Sequence, residues 1–227
     1  MIFIPVHNPN TELLKLVIKL MKNHNFKAED IYIINDHSQN KKSRKVFINL
    51  SKLGCKIKLN KFNRGKGAAI KYSLNYAIQK KLKYILFADG DGQHSDKDII
   101  SIYKLGIKNR NFLIGERKFE NAPLINRISN KFSNFLFNII TQLNLSDTQC
   151  GLRFIPEGCF DIIRNISENQ FDLELVSLFE LFKNKKKIRP VNIETIYFNN
   201  KYISHYNKIF DTLRIFRIFL IYKFLRK

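Results

Sequence analysis

Two aspartates, Asp89 and Asp91, follow an apolar run in the segment YILFADGDGQH (84–94). Gly90 and Gly92 alternate with them and allow the backbone to turn tightly. Two carboxylates so close together repel each other unless a cation or a hydrogen-bond donor lies between them. Mg²⁺ or Mn²⁺ typically takes one or two carboxylates and completes its shell with phosphate oxygens and water. The segment therefore predicts a divalent-metal site, and the alternative is an Asp-Gly turn that only ends a strand.

The next two residues extend the predicted site. Gln93 offers a further carbonyl oxygen and His94 offers a nitrogen. The loop has no suitably placed glutamate after it, so it does not match an EF-hand calcium loop.

A second segment, NRGKGAA (63–69), places two glycines and the cations Arg64 and Lys66 before a run with helical spacing. A helix N-terminus with positive residues binds anions, and glycines permit close backbone approach. The spacing and ending of a Walker loop are absent. The segment predicts a turn that contacts phosphate, and the alternative is a helix start with solvated basic residues.

The elements that must position these segments alternate in type. Short β-branched and apolar runs predict strands at 1–6, 31–36, 55–60, 83–89 and 111–117. Apolar residues at helical spacing predict the intervening helices, with Asn10 or Thr11 and then Ser95 as N-caps and Gly54 as a closing glycine. This alternation predicts an α/β fold with a doubly wound, mostly parallel sheet.

Polar residues follow four of the predicted strands. They are His7 and Asn8, Asp36, Asp89 and Asp91, and Arg117. Ligands of such sheets bind at the carboxyl ends of the strands. Because the carboxyl ends of parallel strands share one edge, we expect these side chains to meet there.

The pattern changes after residue 120. Amphipathic helices are predicted at 122–143 and 171–184, and SDTQCGLRFIP (146–156) predicts a turn and a short strand. A last strand contains Pro190, which favours an edge position. The tail from 205 to 227 has a helical composition and is apolar nearly all round, with interspersed Arg and Lys.

Composition limits the class of protein. The chain has 227 residues, 44% of them hydrophobic, which suits one domain with a proper core, and 20 Phe replace the absent Trp in the large core positions. Its net charge of +21 attracts polyanions such as nucleic acid, anionic lipid or phosphorylated substrates, although a solvated basic surface is the plain alternative.

The expected location is cytoplasmic. Three cysteines without metal-ligand spacing suggest a reducing compartment. The N-terminus lacks the features of a secretory signal, and the sequence has no apolar stretch of about 18 residues that would span a membrane.

Six segments occur in a fixed order: IPVHN, IINDHS, NRGKGAA, FADGDGQH, IGER and SDTQCGLR. Together they resemble the motifs of family 2 of the glycosyltransferases, and most closely the branch of dolichyl-phosphate mannose synthase and bacterial polyprenyl-phosphate sugar transferases. The resemblance covers residues 1–198 and leaves 199–227 as a basic amphipathic tail. It implies a GT-A fold and the inverting transfer of a sugar from a UDP- or GDP-sugar.

The resemblance also implies roles on the donor side. Pro5, His7 and Asp36 match positions that hold the nucleoside, and Lys66 or Arg64 would neutralise phosphate charge. His7 stands where the family often has Tyr, and Pro9 where it often has Glu. The metal and diphosphate site would consist of Asp89, Asp91 and Gln93, with Mg²⁺ or Mn²⁺ as the cofactor.

On the acceptor side, Arg117 and Arg127 match positions that face an acceptor phosphate. Asp147 would orient the acceptor or bind the sugar, with a structural pair of Asp147 and Arg153 as the alternative. Glu174 matches a helix-borne acid that serves as general base when the acceptor is a hydroxyl, and Asp172 is a second candidate. His205 could reach a phosphate.

The implied acceptor is a polyprenyl phosphate, and a glycan or lipid hydroxyl is the rival. Residues 207–227 suit a helix that lies in a membrane interface with its cations near anionic headgroups, which predicts a peripheral enzyme on the inner face of the cell membrane. A helix packed on the core or on a partner is the alternative.

A basic nucleic-acid-binding module is an alternative from another functional class, but no nucleic-acid motif supports it. A sugar nucleotidyltransferase would need a Gly-rich, Arg-containing loop that IPVHNPN lacks.

Overall fold

The chain forms a single seven-stranded sheet in the computed structural model, which describes residues 1–117, 124–194, 196 and 208–224, without the side chains of 124–129 and 208–213. The strands are β1 (Ile2–Val6), β2 (Ile31–Asn35), β3 (Lys56–Leu59), β4 (Tyr84–Phe87), β5 (Phe112–Arg117), β6 (Arg153–Pro156) and β7 (Ile188–Ile193). Their order across the sheet is β3-β2-β1-β4-β6-β5-β7. Only β6 runs antiparallel to its neighbours among these strands, so the predicted α/β class with a mostly parallel sheet is confirmed.

Helices connect the strands and cover the sheet. They are α1 (Thr11–His24), α2 (Lys41–Lys52), α3 (Lys66–Gln79), α4 (Asp96–Asn109), α5 (Leu124–Thr141), α6 (Phe160–Arg164), α7 (Asp172–Lys183) and α8 (Lys208–Phe224). Side chains cap several of them: Asn10 accepts from the N–H of Glu12, and Ser95 from that of Asp98. Gly54 follows α2 with a φ of 93°, a left-handed conformation that suits glycine.

The core lies on both faces of the sheet. The residues of β1, β2 and β4 are almost all buried, as expected for parallel strands covered by helices on both sides. Phenylalanine fills the largest fully buried positions, namely Phe3, Phe112, Phe137, Phe154 and Phe179.

Strand β7 lies at one edge of the sheet, which agrees with the edge position predicted from Pro190. The unexpected feature is β6, which inserts between β4 and β5 in the opposite direction. As a result, the loop before β6 (residues 142–152) reaches the edge of the sheet where β4 and β5 have their carboxyl ends.

The C-terminal helix α8 packs against α5 and α7. Its Tyr222 ring stacks on Phe179 with centroids 4.5 Å apart, and the Tyr222 hydroxyl donates to Glu180 Oε1 at 2.6 Å. The described part of the tail, Lys208–Phe224, thus packs on the rest of the protein, as the alternative to a membrane-interface helix predicts. The described helices include none that is long and apolar enough to cross a bilayer. Residues 197–207 lie outside the described residues, so the division of the chain after residue 198 stays a prediction.

Candidate active site

A cleft of about 570 Å³ opens at the carboxyl ends of β1, β2, β4 and β5. The polar residues predicted to gather at this edge all line it: His7, Asn8, Asp36, Asp89, Asp91 and Arg117. Pro5, Lys66, Gln93 and Glu174 also line the cleft. The parallel direction of the four strands explains this convergence.

The loop after β4 forms the floor of the cleft. Gly90 lies against the side chain of Val6, which leaves no space for a Cβ atom. Gly92 has a φ of 84°, which a side chain rarely tolerates. Asp91 Oδ1 accepts the backbone N–H of Gln93 at 2.9 Å, so the loop holds its second carboxylate in place.

Asp89 is surrounded by partners from two other segments and from its own loop. Its Oδ1 lies 2.5 Å from Lys66 Nζ, and its Oδ2 lies 3.2 Å from Nε2 of the buried His94. The backbone of Gly151 approaches so closely that a Cβ there would collide with both carboxylate oxygens. The position of Asp89 is therefore fixed by packing as well as by charge.

The two aspartates differ in their electrostatics. Burial alone would raise the pKa of Asp89, but the Lys66 ammonium and His94 hold it well below its ordinary value. The pKa of Asp91 is raised, first by desolvation within the cleft and then by the negative charge of Asp89. The charges of His94 and Lys66 oppose this rise at Asp91 without cancelling it, whereas Lys66 is paired directly with Asp89.

The donor set fits a hard divalent ion that also needs substrate oxygens. Among the described residues, no three His, Cys, Asp or Glu side chains are placed to hold a metal together. Two adjacent carboxylates, Asp89 and Asp91, remain, and Mg²⁺ commonly uses one or two such ligands plus phosphate oxygens. The Gln93 side chain lines the cleft, while its backbone carbonyl accepts from the N–H of Ile196 at 3.1 Å. The side-chain oxygen of Gln93 and the second lone pair of its backbone carbonyl are then left for a cation.

Lys66, which is predicted to neutralise phosphate charge, points at two carboxylates. Its Nζ bridges Asp89 Oδ1 and Glu174 Oε1, the latter at 2.9 Å. Burial would lower the pKa of Lys66, but these two acids raise it, so the ammonium is charged. In this structure Lys66 serves as an internal cation of the cleft, and its phosphate contact stays a prediction.

The N-terminus of α3 is partly satisfied by protein groups. The N–H of Ala68 donates to the Asn169 carbonyl at 3.1 Å, and the N–H of Gly65 donates to Asp36 Oδ2 at 2.8 Å. The segment 169–170 also covers Gly65 and Gly67 so closely that neither has space for a Cβ. The glycines of NRGKGAA therefore serve chain packing in addition to any approach of phosphate.

Asp36 and His7 join the loops after β1 and β2. Nδ1 of His7 lies 2.8 Å from the Asp36 carbonyl oxygen. The carboxylate of Asp36 accepts from the N–H groups of Arg64 and Gly65, and from the side chain of Asn60. Asp36 thus anchors the start of α3 while it lines the cleft, and its nucleoside contact stays a prediction.

Arg117, at the end of β5, is oriented by a fully buried carboxylate. Its Nε donates to Asp147 Oδ2 at 2.6 Å and its Nη2 donates to Oδ1 at 3.2 Å. Arg117 lines the cleft, whereas Asp147 lies behind it. Asp147 therefore acts on the cleft through Arg117.

The alternative pairing of Asp147 with Arg153 does not occur. Arg153 is buried and donates to the carbonyl oxygens of Thr148, Cys150 and Glu174, and to Ser177 Oγ. It ties the loop before β6 to the start of α7. Arg127 lies in α5, and its side chain is outside the description; His205 lies outside the described residues.

The start of α7 forms another wall. Asp172 and Glu174 both line the cleft, and Glu174 is only 5% exposed. Phe171, which is 45% exposed, presents its ring 5.9 Å from Lys66 Nζ.

Several cleft residues were missed by sequence reasoning. They are Asn130, Gln149, Phe171, Arg214 and Ile215, together with Gly151 behind Asp89. The order of motifs could have pointed to Gln149 and Gly151, which lie within SDTQCGLR. Arg214 and Ile215 gave no such signal, because only the packing of α8 brings them to the cleft.

Comparison with known proteins now decides the family. The family model described as Glycosyl transferase family 2 matches residues 1–171. The chain belongs to glycosyltransferase family 2. Two relatives from Methanocaldococcus jannaschii are both uncharacterised proteins. MJ1222 is 29% identical over 206 residues, with 86% of this chain and 82% of the relative covered. MJ0544 is 32% identical over 162 residues, with 67% and 69% covered.

Solved structures confirm the GT-A fold of this family 2 member. Glucosyl-3-phosphoglycerate synthase from Mycobacterium tuberculosis, in complex with phosphoglyceric acid, superposes with a TM-score of 0.73 at 10% identity, covering 97% of this chain and 78% of that one. The same synthase with Mn²⁺, UDP and glucosyl-3-phosphoglycerate gives 0.73 at 11% identity, with the same coverage. Its complex with Mg²⁺ and UDP gives 0.67 at 11% identity and again covers 97% and 78%.

Proposed function

We propose that this family 2 member is a metal-dependent, inverting glycosyltransferase that moves a sugar from a UDP- or GDP-sugar to an acceptor phosphate. A polyprenyl phosphate is the acceptor we favour, in line with the resemblance to the dolichyl- and polyprenyl-phosphate branch. Mg²⁺ or Mn²⁺ would be held by Asp89 and Asp91.

One observation carries the proposal: a single cleft holds acids on its floor and an oriented arginine on its wall. Asp89 and Asp91 both line the cleft, where they would hold a cation that binds a diphosphate. Arg117 lines the cleft with a guanidinium that the buried Asp147 holds through Nε and Nη2, and a fixed guanidinium charge suits an acceptor phosphate. A transferase that joins a sugar diphosphate to an anionic acceptor needs both kinds of group.

The reaction assigns roles to the residues. An oxygen of the acceptor phosphate attacks the anomeric carbon while the bond from that carbon to the diphosphate breaks, and the nucleoside diphosphate leaves with the bonding electrons. A divalent ion, when bound, stabilises the negative charge that grows on the leaving diphosphate. Arg117 holds the attacking phosphate in line with the bond that breaks. Lys66 adds a protein positive charge beside the diphosphate.

An anionic acceptor needs no general base. The acid best placed for that role, Glu174, is almost fully buried, and its Oε1 is bound to Lys66 at 2.9 Å. An acceptor hydroxyl would have to reach this carboxylate beside the ammonium. This arrangement favours the phosphate acceptor over the rival glycan or lipid hydroxyl, which would depend on Glu174 as a base.

The structural neighbours support the coarse outline by analogy. Glucosyl-3-phosphoglycerate synthase was crystallised with Mn²⁺, UDP-glucose and phosphoglyceric acid. We infer a similar set here: a nucleotide-sugar donor, a divalent ion and a phosphorylated acceptor. The lipid part of the acceptor rests on the resemblance of the motifs.

The test is transfer of label from UDP- and GDP-sugars in the presence of Mn²⁺ or Mg²⁺. The acceptors compared are a polyprenyl phosphate, the matching polyprenol and 3-phosphoglycerate. We expect a lipid product whose linkage resists alkali and breaks in mild acid, and we expect chelator and Asp91→Asn to abolish it. Asp161→Asn, on the exposed face of α6, is the matched control. Transfer to the polyprenol alone, or undiminished transfer in excess chelator, would contradict the proposal.

A further inference from the structure

Helices α5 and α8, which pack against each other, both expose large apolar side chains. On α5 these are Phe132, Phe135 and Ile139, and on α8 they are Phe216, Leu220, Ile221 and Phe224. The α5 residues follow one another at helical spacing on the outer face, and α8 packs beside α5. We call these seven residues the α5–α8 face. Exposed large apolar side chains grouped on neighbouring helices point to an interaction site.

The exposed apolar residues of α8 are distinct from the apolar residues that pack this helix onto the protein. The inner side of α8 is buried through Ile215, Ile218 and Phe219. Stacking of Tyr222 on Phe179 and its hydrogen bond to Glu180 fix the rotation of the helix about its axis. The outward position of the apolar residues therefore follows from the packed fold.

The two helices that carry the face are basic where their side chains are described. The charged side chains described on the two helices are Lys131, Arg214, Arg217 and Lys223, and all four are basic. Apolar side chains interspersed with cations on the same two helices match an anionic lipid surface, because apolar side chains enter the acyl boundary while the cations meet headgroup phosphates. A second copy of the chain fits worse, since a symmetric contact would bring the same cations together.

The two helices of the face also contribute residues to the cleft. Asn130 of α5 and both Arg214 and Ile215 of α8 line the cleft, and each is close in sequence to residues of the face. A membrane on the α5–α8 face would place the cleft mouth at headgroup level.

We propose that the α5–α8 face docks the enzyme on an anionic bilayer, with α5 as an equal partner of the C-terminal helix. The surface thus extends beyond the tail whose composition suggested membrane contact. The proposal concerns where the enzyme works and does not depend on the transfer reaction. It is tested without donor or acceptor, so its failure would leave the proposed function standing, and the reverse also holds.

The experiment is flotation of the full chain with vesicles of phosphatidylcholine that contain increasing phosphatidylglycerol. We expect binding that rises with phosphatidylglycerol and falls with salt. Arg217→Gln and Lys223→Gln should each weaken binding about fivefold. Phe135→Ser combined with Ile139→Ser, both on α5, should weaken it by about tenfold or more.

The matched control is Lys45→Gln combined with Ile48→Ser on α2, which removes one exposed cation and one exposed apolar side chain elsewhere. Circular dichroism and melting curves verify that each variant is folded. Loss of binding in the face variants with binding retained in the control supports the proposal. It is overturned if the wild-type chain does not float with anionic vesicles, or if the α5 variant binds as the wild type does. Concentration-dependent dimers that the α5 variant abolishes, without vesicle binding, would assign the face to a second copy instead.

Discussion

The Lys66 ammonium lies 2.5 Å from Asp89 Oδ1, so a protein cation already neutralises one of the two acids on the floor of the cleft. The same ammonium contacts Glu174 on the opposite wall. The three side chains come from α3, the loop after β4 and α7, and their charges hold these segments together. The acids of the site need a nearby positive charge, and Lys66, which supplies it, also helps to stabilise the fold.

Replacing Lys66 with Met should destabilise the protein and make it more responsive to metal. The substitution leaves Asp89 and Glu174 without their shared cation, and breaking a buried pair in this way costs about 3–5 kcal/mol. Added Mn²⁺ should raise the melting temperature of Lys66→Met more than that of the wild type, because a bound divalent ion restores positive charge beside Asp89. Differential scanning calorimetry with and without Mn²⁺ measures both effects.

The control for this prediction is Lys83→Met, which removes an exposed ion pair with Glu157. Its cost should stay below about 1 kcal/mol, with no change in the response to Mn²⁺. A Lys66→Met protein as stable as the wild type would show that the ammonium does not balance the two acids.

The three cysteines should be inert in the folded chain. Burial raises the pKa of Cys150 to about 12 and those of Cys55 and Cys159 to about 11. At about pH 8 the reactive thiolate is therefore absent until the chain unfolds, and a thiol reagent such as DTNB should report global unfolding. A rapidly reacting thiol in the native protein would contradict these burial assignments.

The same shifts fix the sign of a pH effect. Thiols of the unfolded chain ionise near about pH 8.5, below those of the folded chain. Their contribution to stability is complete below that pH and is lost as the pH rises toward the folded pKa values. The free energy of unfolding should thus decrease from about pH 9 to about pH 11, as chemical denaturation at each pH would measure.

The sequence was informative where local patterns decide structure. Alternating strands and helices, the caps at Asn10 and Ser95, and the convergence of polar residues at one sheet edge all follow from periodicity and from the parallel direction of the strands. Asp89 and Asp91 could be singled out because their spacing and their glycines lie within one loop.

Contacts between segments that are distant in the chain could not be predicted from these local patterns. Asp147 and Arg117 are 30 residues apart, and the antiparallel insertion of β6 brings them together. The direction of Lys66 depends on how α3 sits relative to α7, so its sequence context suggested phosphate when the structure places it between acids. Arg214 reaches the cleft only because Tyr222 and its neighbours anchor α8 on α7.

Gly151→Ala should lower the affinity for Mn²⁺ while the variant still folds. The added methyl group would collide with both oxygens of Asp89, so the carboxylate must move from the cleft floor. Displacing a ligand through its surroundings typically costs about 10–100-fold in metal affinity. Titration with Mn²⁺, followed by electron paramagnetic resonance at a temperature where the variant is folded, measures the affinity.

Gly158→Ala is the matched control, because its new methyl group would meet only Lys186 Nζ at an ordinary distance of 3.7 Å. Its Mn²⁺ affinity should equal that of the wild type. Unchanged affinity in Gly151→Ala would mean that Asp89 does not depend on this approach, or that it is not a ligand.

Asp147→Asn should raise the KM for the acceptor and leave the KM for the nucleotide-sugar unchanged. Asp147 is fully buried and touches Arg117 rather than the cleft, so its loss acts by loosening the guanidinium.

A double-mutant cycle with Arg117→Met separates this indirect role of Asp147 from direct contact with the acceptor. If Asp147 works only through Arg117, the double variant should be no worse than Arg117→Met alone, because the two changes remove one shared interaction. Asp161→Asn, whose Arg164 pairing lies on the surface of α6, controls for the loss of a carboxylate. Fully additive effects on the acceptor KM would instead mean that Asp147 contacts the acceptor itself.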